Sequence, residues 1–285
     1  MSHIQPIANI RCLTKACQEL GVPYSYHDKN HNFIEIDIGR PYYFANGATP
    51  LNDEAVSKIC HDKEFTHQLL QSTIRMPATA GFIDPECDPR YQHYVKQHSY
   101  PEIISEIKKE FSFPIIVKMN SGSFGVNVFR CENEDETLSA IKTIYNKASS
   151  HYDYIALAQK HVSIKREFRV IILDQKIILV YEKDFSGAHF TGNLSPFYQE
   201  NSRAVLISDS KLIKKLQKFI MPLFTRLNVR FAGLDIVIDE KNDIYLLELN
   251  SRPGFEYFVR DNGEELLVPV YKKIITSLQH HAPHS

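Results

Sequence analysis

Three short segments of this chain hold residue types and spacings that can do chemistry. The first is VKMNSGSFGVNVF, residues 117–129. An apolar run presents Lys118, the small or glycine-type stretch Ser121, Gly122, Ser123, Phe124 and Gly125 follows, and a second apolar run returns. Small residues let backbone N–H groups turn toward a phosphate, serine hydroxyls add donors, and a strand-borne lysine supplies a point charge. No G-K-[ST] and no GxGxxG opening a helix occurs, so neither a Walker loop nor a dinucleotide fingerprint is present. An ordinary glycine-containing hairpin with Lys118 snorkelling from a sheet edge fits the same residues.

The second segment is GLDIVIDEKNDIYLLELNSRPGF. Asp235 stands on one strand. Glu248 and Asn250 stand two apart on the next and so share a face. Oxygen donors on adjacent strands suit Mg²⁺, and a carboxylate in a run as apolar as DIYLLELN is costly unless paired or metal-bound. A solvated sheet face is the competing reading for Glu248. The third segment, LAQKHVSIKREFRVIIL, ends an apolar strand in a polar connection whose backbone can meet an adenine edge. It then puts Glu167 and Arg169 on one face, for ribose hydroxyls and for phosphate or a carboxylate, or as an exposed ion pair.

The elements that must position these residues alternate hairpins with single helices. Ile10, Leu13, Cys17 and Leu20 are at helical spacing ahead of Gly21 and Pro23. FIEIDI alternates as a half-buried strand, and PYYFAN pairs back on it. Asn52 is placed to cap one helix running through residues 53–70. Residues 81–101, rich in Pro, Tyr, His and Asp, read as an irregular connection. Helices are expected over 102–110, 134–147, 210–228 and 263–278. Hairpins turn at Asp174-Gln175 and at Glu240-Lys241-Asn242. The class is α+β rather than a doubly wound parallel sheet.

Composition narrows the partners. The 285 residues have a formal net charge of −1 and 43% hydrophobic residues, so no bulk polyanion such as nucleic acid is called for. The Tyr-rich stretch 91–100 lacks the basic stripe of a nucleic-acid platform. Five cysteines, without CxxC spacing, read as free thiols of a cytoplasmic protein, and no run is long enough to span a membrane. No His-x-x-x-His pair within an expected helix and no Cys partner at ligand spacing marks a zinc site.

Taken together and in this order, the three segments resemble the ATP-grasp superfamily, in the branch of cyanophycin synthetases, bifunctional glutathione synthases and ribosomal-protein glutamate ligases. LNDEAVSKICHDKEFTHQLLQSTIRMPAT is similar to the entry signature of that branch, and NSRPGF looks like its N-x-x-P-G turn. The resemblance implies two α+β lobes gripping ATP, with residues 1–51 as a short N-terminal α/β segment and 52–285 as the ATP-grasp domain. One lobe would lie around 110–160 and the C-terminal lobe over 161–278.

The resemblance also assigns roles. Lys63 and Lys118 would be the nucleotide lysines, and Ser121 to Gly125 the loop over the phosphates. Gln159, Lys160, His161 and Val162 would form the adenine hinge, Glu167 would bind ribose, and Asn193 is a further nucleotide candidate. Asp235, Glu248 and Asn250 would hold two Mg²⁺ ions, with Mn²⁺ as a substitute. Arg169, Arg252 and Lys183 are the candidates beside the reaction centre. The activity implied is ADP-forming amide or peptide bond formation through an acyl phosphate. The substrates would be a small-molecule or peptide carboxylate and an amine, and homo-oligomers occur among the relatives. A kinase-like phosphotransferase and a non-catalytic nucleotide-binding protein remain alternatives. Arg252, where close relatives carry a small residue, is a departure from the pattern.

Overall fold

The computed structural model describes residues 5–122, 125–186 and 201–280. It opens with α1 (Ala8–Leu20), closed by Gly21 in the left-handed region, where a side chain would be strained. The small antiparallel sheet β1 (Tyr24–Tyr26), β2 (Phe33–Asp37) and β3 (Pro41–Ala45) follows. The strict alternation of FIEIDI is seen directly: Ile34 and Ile36 are buried while Phe33 and Asp37 face out.

The helix expected over 53–70 is two helices, α2 (Glu54–His61) and α3 (Lys63–Leu70), and Asn52 caps neither. Asp53 caps α2, while the Asn52 side chain bonds to the backbone of Arg230 and Phe231. Asp62 breaks the run. It leaves the helical region with ψ of 108°, and its carboxylate accepts the Phe65 N–H at 2.9 Å as the cap of α3. Helical periodicity continues across such a break, so the spacing of apolar residues alone does not reveal it.

Residues 81–101 are less irregular than expected. They begin within β4 (Thr79–Ile83), contain a 3₁₀ turn over Pro89–Tyr94, and end in α4 (Tyr100–Glu110), which starts earlier than the expected 102. Pro101 lies in the first turn of α4, where its missing N–H costs nothing. Next come β5 (Ile115–Met119), β6 (Val128–Cys131), α5 (Glu134–Ile144) and β7 (Ile155–Lys160). Together with β4 these make a four-stranded sheet of order β4-β7-β5-β6. The apolar faces of α4 and α5 and this sheet share one core.

A five-stranded sheet carries the rest: β8 (Ile164–Leu173), β9 (Lys176–Asp184), β10 (Arg203–Leu206), then, after α6 (Ser210–Ile220), β11 (Phe231–Asp239) and β12 (Ile244–Asn250), in the order β10-β9-β8-β11-β12. Both expected hairpins form, and Asp174 and Gln175 take positive φ as a tight hairpin turn requires. The helix from 210 gives way to a 3₁₀ turn over Met221–Thr225, because Pro222 cannot donate into a continuing α-helix. The last expected helix, 263–278, forms as α8 (Val268–His280) with a later start, and α7 (Glu256–Asn262), which ends at Gly263, precedes it without having been expected.

The two faces of the large sheet differ. Phe168, Val170, Ile172, Leu234 and Ile236 pack under α2, α3 and α6. On the other face Ile171, Leu173 and Phe231 join α1, β2, β3 and α8 in a second core. The first fifty residues therefore share a core with the C-terminal part of the chain. Farther along that second face the same strands carry Glu167, Arg169 and Asp235 in place of apolar residues. Among the described residues no helix is long and apolar enough to cross a membrane.

Asp62 sets where α3 begins and hence where Lys63 sits. Asp62→Ala should cost about 1 kcal/mol of stability, read as a lower urea midpoint. An unchanged midpoint would show that the cap is not what ends α2 and starts α3.

Candidate active site

The two larger sheets face each other across a cavity of about 760 Å³. One wall is built from β5, β7 and the start of α3. Lys118 is buried, and its ammonium donates to Gln159 Oε1 at 3.1 Å; Gln159 in turn donates to Thr79 Oγ1 at 2.8 Å. Burial above all, and then the neighbouring charge of Lys63, pull the Lys118 pKa down to about 8, against the opposite pull of Glu248 and Asp235. Lys63 Nζ donates to the carbonyls of Gly122, at 2.5 Å, and Asn120, at 3.3 Å. The Asn120 side chain accepts the Glu64 N–H at 2.8 Å, so the start of α3 is tied to the end of β5.

Gly122 and Gly125 line the cavity, whereas Ser121 does not. Its N–H and its hydroxyl both donate to Asp153 Oδ2 at 2.8 Å, which pins the stem of the loop. A methyl group at Gly122 would lie 3.1 Å from Met119 Cβ, so this stem is closely packed. Ser123 and Phe124 of the loop, and Asn193, lie outside the described residues. Gln159, Lys160, His161 and Val162 all face the cavity. The Lys160 N–H is already donated to Ala78 O at 2.8 Å, which leaves the remaining backbone groups of the segment for any ligand. Burial, with Arg130 next, lowers the His161 pKa and favours a neutral ring.

The opposite wall is a charge cluster. Asp235 lies across from Arg169 on β8 and from Glu248 on β12. Arg169 clamps Asp235 with two bonds, at 2.5 and 3.1 Å, and Lys183 Nζ lies 3.0 Å from Asp235 and 2.6 Å from Glu167. All four side chains are at most 14% exposed. Burial opposes every one of these charges, yet the pairing outweighs it: Arg169 and Lys183 have raised pKa values and Asp235 a lowered one. A bulge beside Asp235, where β12 carries one extra residue, separates this charged end of the β11–β12 ladder from its apolar continuation.

Glu248 and Asn250 line the cavity, and among the described residues neither side chain has a hydrogen-bond or ion-pair partner. The same holds for the exposed guanidinium of Arg252 in the following turn. The described residues contain no group of three or more His, Cys, Asp or Glu gathered to hold a metal. The oxygen set is two carboxylates and an amide, all hard donors of the type Mg²⁺ takes.

The cavity also has walls that sequence reasoning missed. Ile7, Asn9, Asn46 and Gly47 reach it from the N-terminal segment. Asn9 is buried on α1 and donates to Pro253 O at 3.0 Å, next to Arg252. Its position within an amphipathic helix gave no signal. The Asn46-Gly47 pair, both at positive φ, was readable only as a turn.

The RimK-like ATP-grasp domain model matches residues 61–278. The chain belongs to the RimK-like ATP-grasp family. It is 26% identical over 149 residues to an uncharacterized protein of Mycoplasma genitalium, covering 52% of this chain and 46% of that one. It is 24% identical over 187 residues to the coenzyme gamma-F420-2:alpha-L-glutamate ligase of Methanocaldococcus jannaschii, covering 64% and 58%. Among solved structures, the D-alanine–D-alanine ligase of Bacillus anthracis superposes with a TM-score of 0.54 at 19% identity, covering 81% of this chain and 68% of that one. The chain spans about half the length of the curated relatives it matches. The family match begins inside α2, so the N-terminal residues that reach the cavity lie outside it.

Lys118 carries a stability consequence for this ATP-grasp chain. Its folded pKa, about 8, lies below the ordinary lysine value of 10.5. The native state therefore loses its proton first, and the penalty for a buried charge is complete below pH 8 and fades as pH rises toward 10.5. Lys118→Met should stabilise the nucleotide-free protein by about 3 kcal/mol at neutral pH. The gain should shrink toward zero near pH 10.5. Urea titrations at both pH values check this, and equal midpoints for wild type and variant at neutral pH would contradict it.

Proposed function

We propose that this chain is an ATP-dependent carboxylate–amine ligase acting on an amino acid or peptide through an acyl phosphate. One observation carries the reading. A single cavity opposes two lysines and a glycine-bearing loop on one wall to a carboxylate–amide set on the other. That is the charge arrangement a triphosphate needs, cations at its oxygens and hard ligands for its counter-ion. Curated relatives with a stated activity include a glutamate ligase and D-alanine–D-alanine ligases beside a 2-oxoglutarate carboxylase small subunit, and the ligases support the same class.

In this reading Lys118 and Lys63 neutralise phosphate oxygens, and Gly122 and Gly125 let the loop backbone approach them. Gln159 to Val162 border the adenine, and Glu167 takes the ribose hydroxyls. Asp235, Glu248 and Asn250 are the residues that would hold two Mg²⁺ ions, or Mn²⁺ in their stead, and bound metal would offset charge on the transferring phosphoryl group. The substrate carboxylate attacks the γ-phosphorus, and the bond to the bridging oxygen breaks to give an acyl phosphate and ADP. The amine then attacks the acyl carbon, the carbon–oxygen bond to phosphate breaks, inorganic phosphate leaves and the amine sheds a proton.

Of the three cations beside the reaction centre, Arg169 and Lys183 are committed to Asp235, whereas Arg252 has no side-chain partner among the described residues. We therefore assign the oxyanion or a substrate carboxylate to Arg252 first. All five cysteines are buried and unpaired, and we assign the ligase to the reducing cytoplasm.

The test is hydroxylamine trapping with ATP, Mg²⁺ and pooled amino acids and peptides. Hydroxamate formed together with ADP is expected. Glu248→Ala should lower both by at least about a hundredfold while leaving the urea midpoint near that of wild type. ADP without hydroxamate would replace the ligase by a phosphotransferase. Full activity in the variant would remove Glu248 from the metal set.

A further inference from the structure

α6, SKLIKKLQKFI, has two unlike sides. Leu216 and Ile220 are fully buried, and Leu212, Ile213 and Phe219 pack beside them against the large sheet. Lys211, Lys214, Lys215 and Lys218 are all exposed, and among the described residues none of their ammonium groups has a hydrogen-bond or ion-pair partner. Their spacings of three and four residues make each a neighbour of like charge on the helix surface, an arrangement that destabilises a helix. Beyond the cap, Asp209, whose carboxylate accepts the Lys211 N–H at 2.9 Å, there is no acid in the first turn, and Lys211 stands there against the helix dipole.

Other helices of the chain are built differently. Lys15 of α1 meets Glu264 at 2.5 Å, and on α4 Lys108 meets Glu134 at 2.6 Å and Lys109 meets Glu106 at 2.8 Å. Lys272 of α8 is paired with Glu19. A chain of net charge −1 thus gathers four unrelieved positive charges on one exposed helix face.

We propose that this face of α6 is a docking surface for an acidic, extended segment of polypeptide. From Lys211 to Lys218 the helix rises about 10 Å, and an extended chain advances about 7 Å every two residues. Two carboxylates at alternate positions of an extended chain therefore fall within the stripe, each within reach of more than one of the four lysines. The stripe has no arginine fork to clasp a phosphate and no exposed aromatic ring to stack a base. The apolar side of α6 is already spent in the core, so the helix has nothing to insert into a bilayer. This surface lies outside the residues that line the cavity, and the inference does not depend on the catalytic reading.

The experiment uses the full chain and a fluorescein-labelled peptide of alternating Glu and Ser, with a Gln–Ser peptide as control, read by anisotropy. The acidic peptide should bind at low salt and weaken about tenfold at physiological ionic strength, and the control should not bind. The combined variant K211Q, K214Q, K215Q and K218Q should lose at least about tenfold in affinity, with an unchanged urea midpoint. Removing two exposed lysines elsewhere, with K29Q and K273Q, should leave binding intact. The charge-reversed variant K211E, K214E, K215E and K218E should instead bind a Lys–Ser peptide. No binding at low salt, undiminished binding by the four-fold variant, or tighter binding to oligothymidylate or phosphatidylserine vesicles than to the peptide would each overturn the proposal.

Discussion

The constraint on which this structure turns is the burial of four charges on one face of one sheet. Glu167, Arg169, Lys183 and Asp235 sit where strands β8, β9 and β11 would otherwise continue an apolar surface. Removing such groups from water costs several kcal/mol each, and only complete pairing offsets it. The strand register supplies that pairing: Asp235 is directly across from Arg169, and Lys183 reaches both acids. A slip of one residue on any of the three strands would bury an unpaired ion. The sheet that shapes the cavity and the charges that furnish it are thus one requirement, and the hydrophobic packing of the opposite face holds the register in place.

The opposing wall obeys the reverse logic. Lys118 is buried with only an amide oxygen for a partner, and its depressed pKa records the cost. Proteins retain such unfavourable groups where binding demands them, and the fold tolerates this one because the rest of its sheet is conventionally packed. One wall pairs its four buried charges with one another and leaves Glu248 and Asn250 open beside them, while the other leaves its buried lysine with a single amide partner, which gives the cavity its direction.

How much of this could be read from the sequence depended on periodicity. Glu248 with Asn250, and Glu167 with Arg169, were legible because the period of a strand is two and survives any packing. The β8–β9 and β11–β12 hairpins were legible from their turn residues. The bond from Ser121 to Asp153 was not legible, because a serine beside a glycine looks alike whether or not its hydroxyl has a partner thirty-two residues away. The break at Asp62 was hidden because both helices keep the same apolar rhythm across it. Strand β4 was missed because TAGFI is short and carries Ala80 and Gly81, poor strand formers, at its centre. The N-terminal contribution to the cavity was invisible for a simpler reason: Asn9 and Asn46 acquire their meaning from segments some two hundred residues away.

The shared core of α1 with α8 has a consequence for how the molecule is made. Ile10, Leu13 and Cys17 find their cover on Tyr271, Ile274, Ile275 and Leu278, at the far end of the chain. A ribosome releases α1 first and α8 after roughly 250 more residues, which takes on the order of 10–50 s at usual elongation rates. Early in that interval the apolar stripe of α1 has the small β1–β3 sheet to rest on, and β8, β9 and β11 add Ile171, Leu173, Tyr181 and Phe231 to the same core before α8 completes it. The apolar stripe of α1 is therefore only partly covered during translation until α8 has been made.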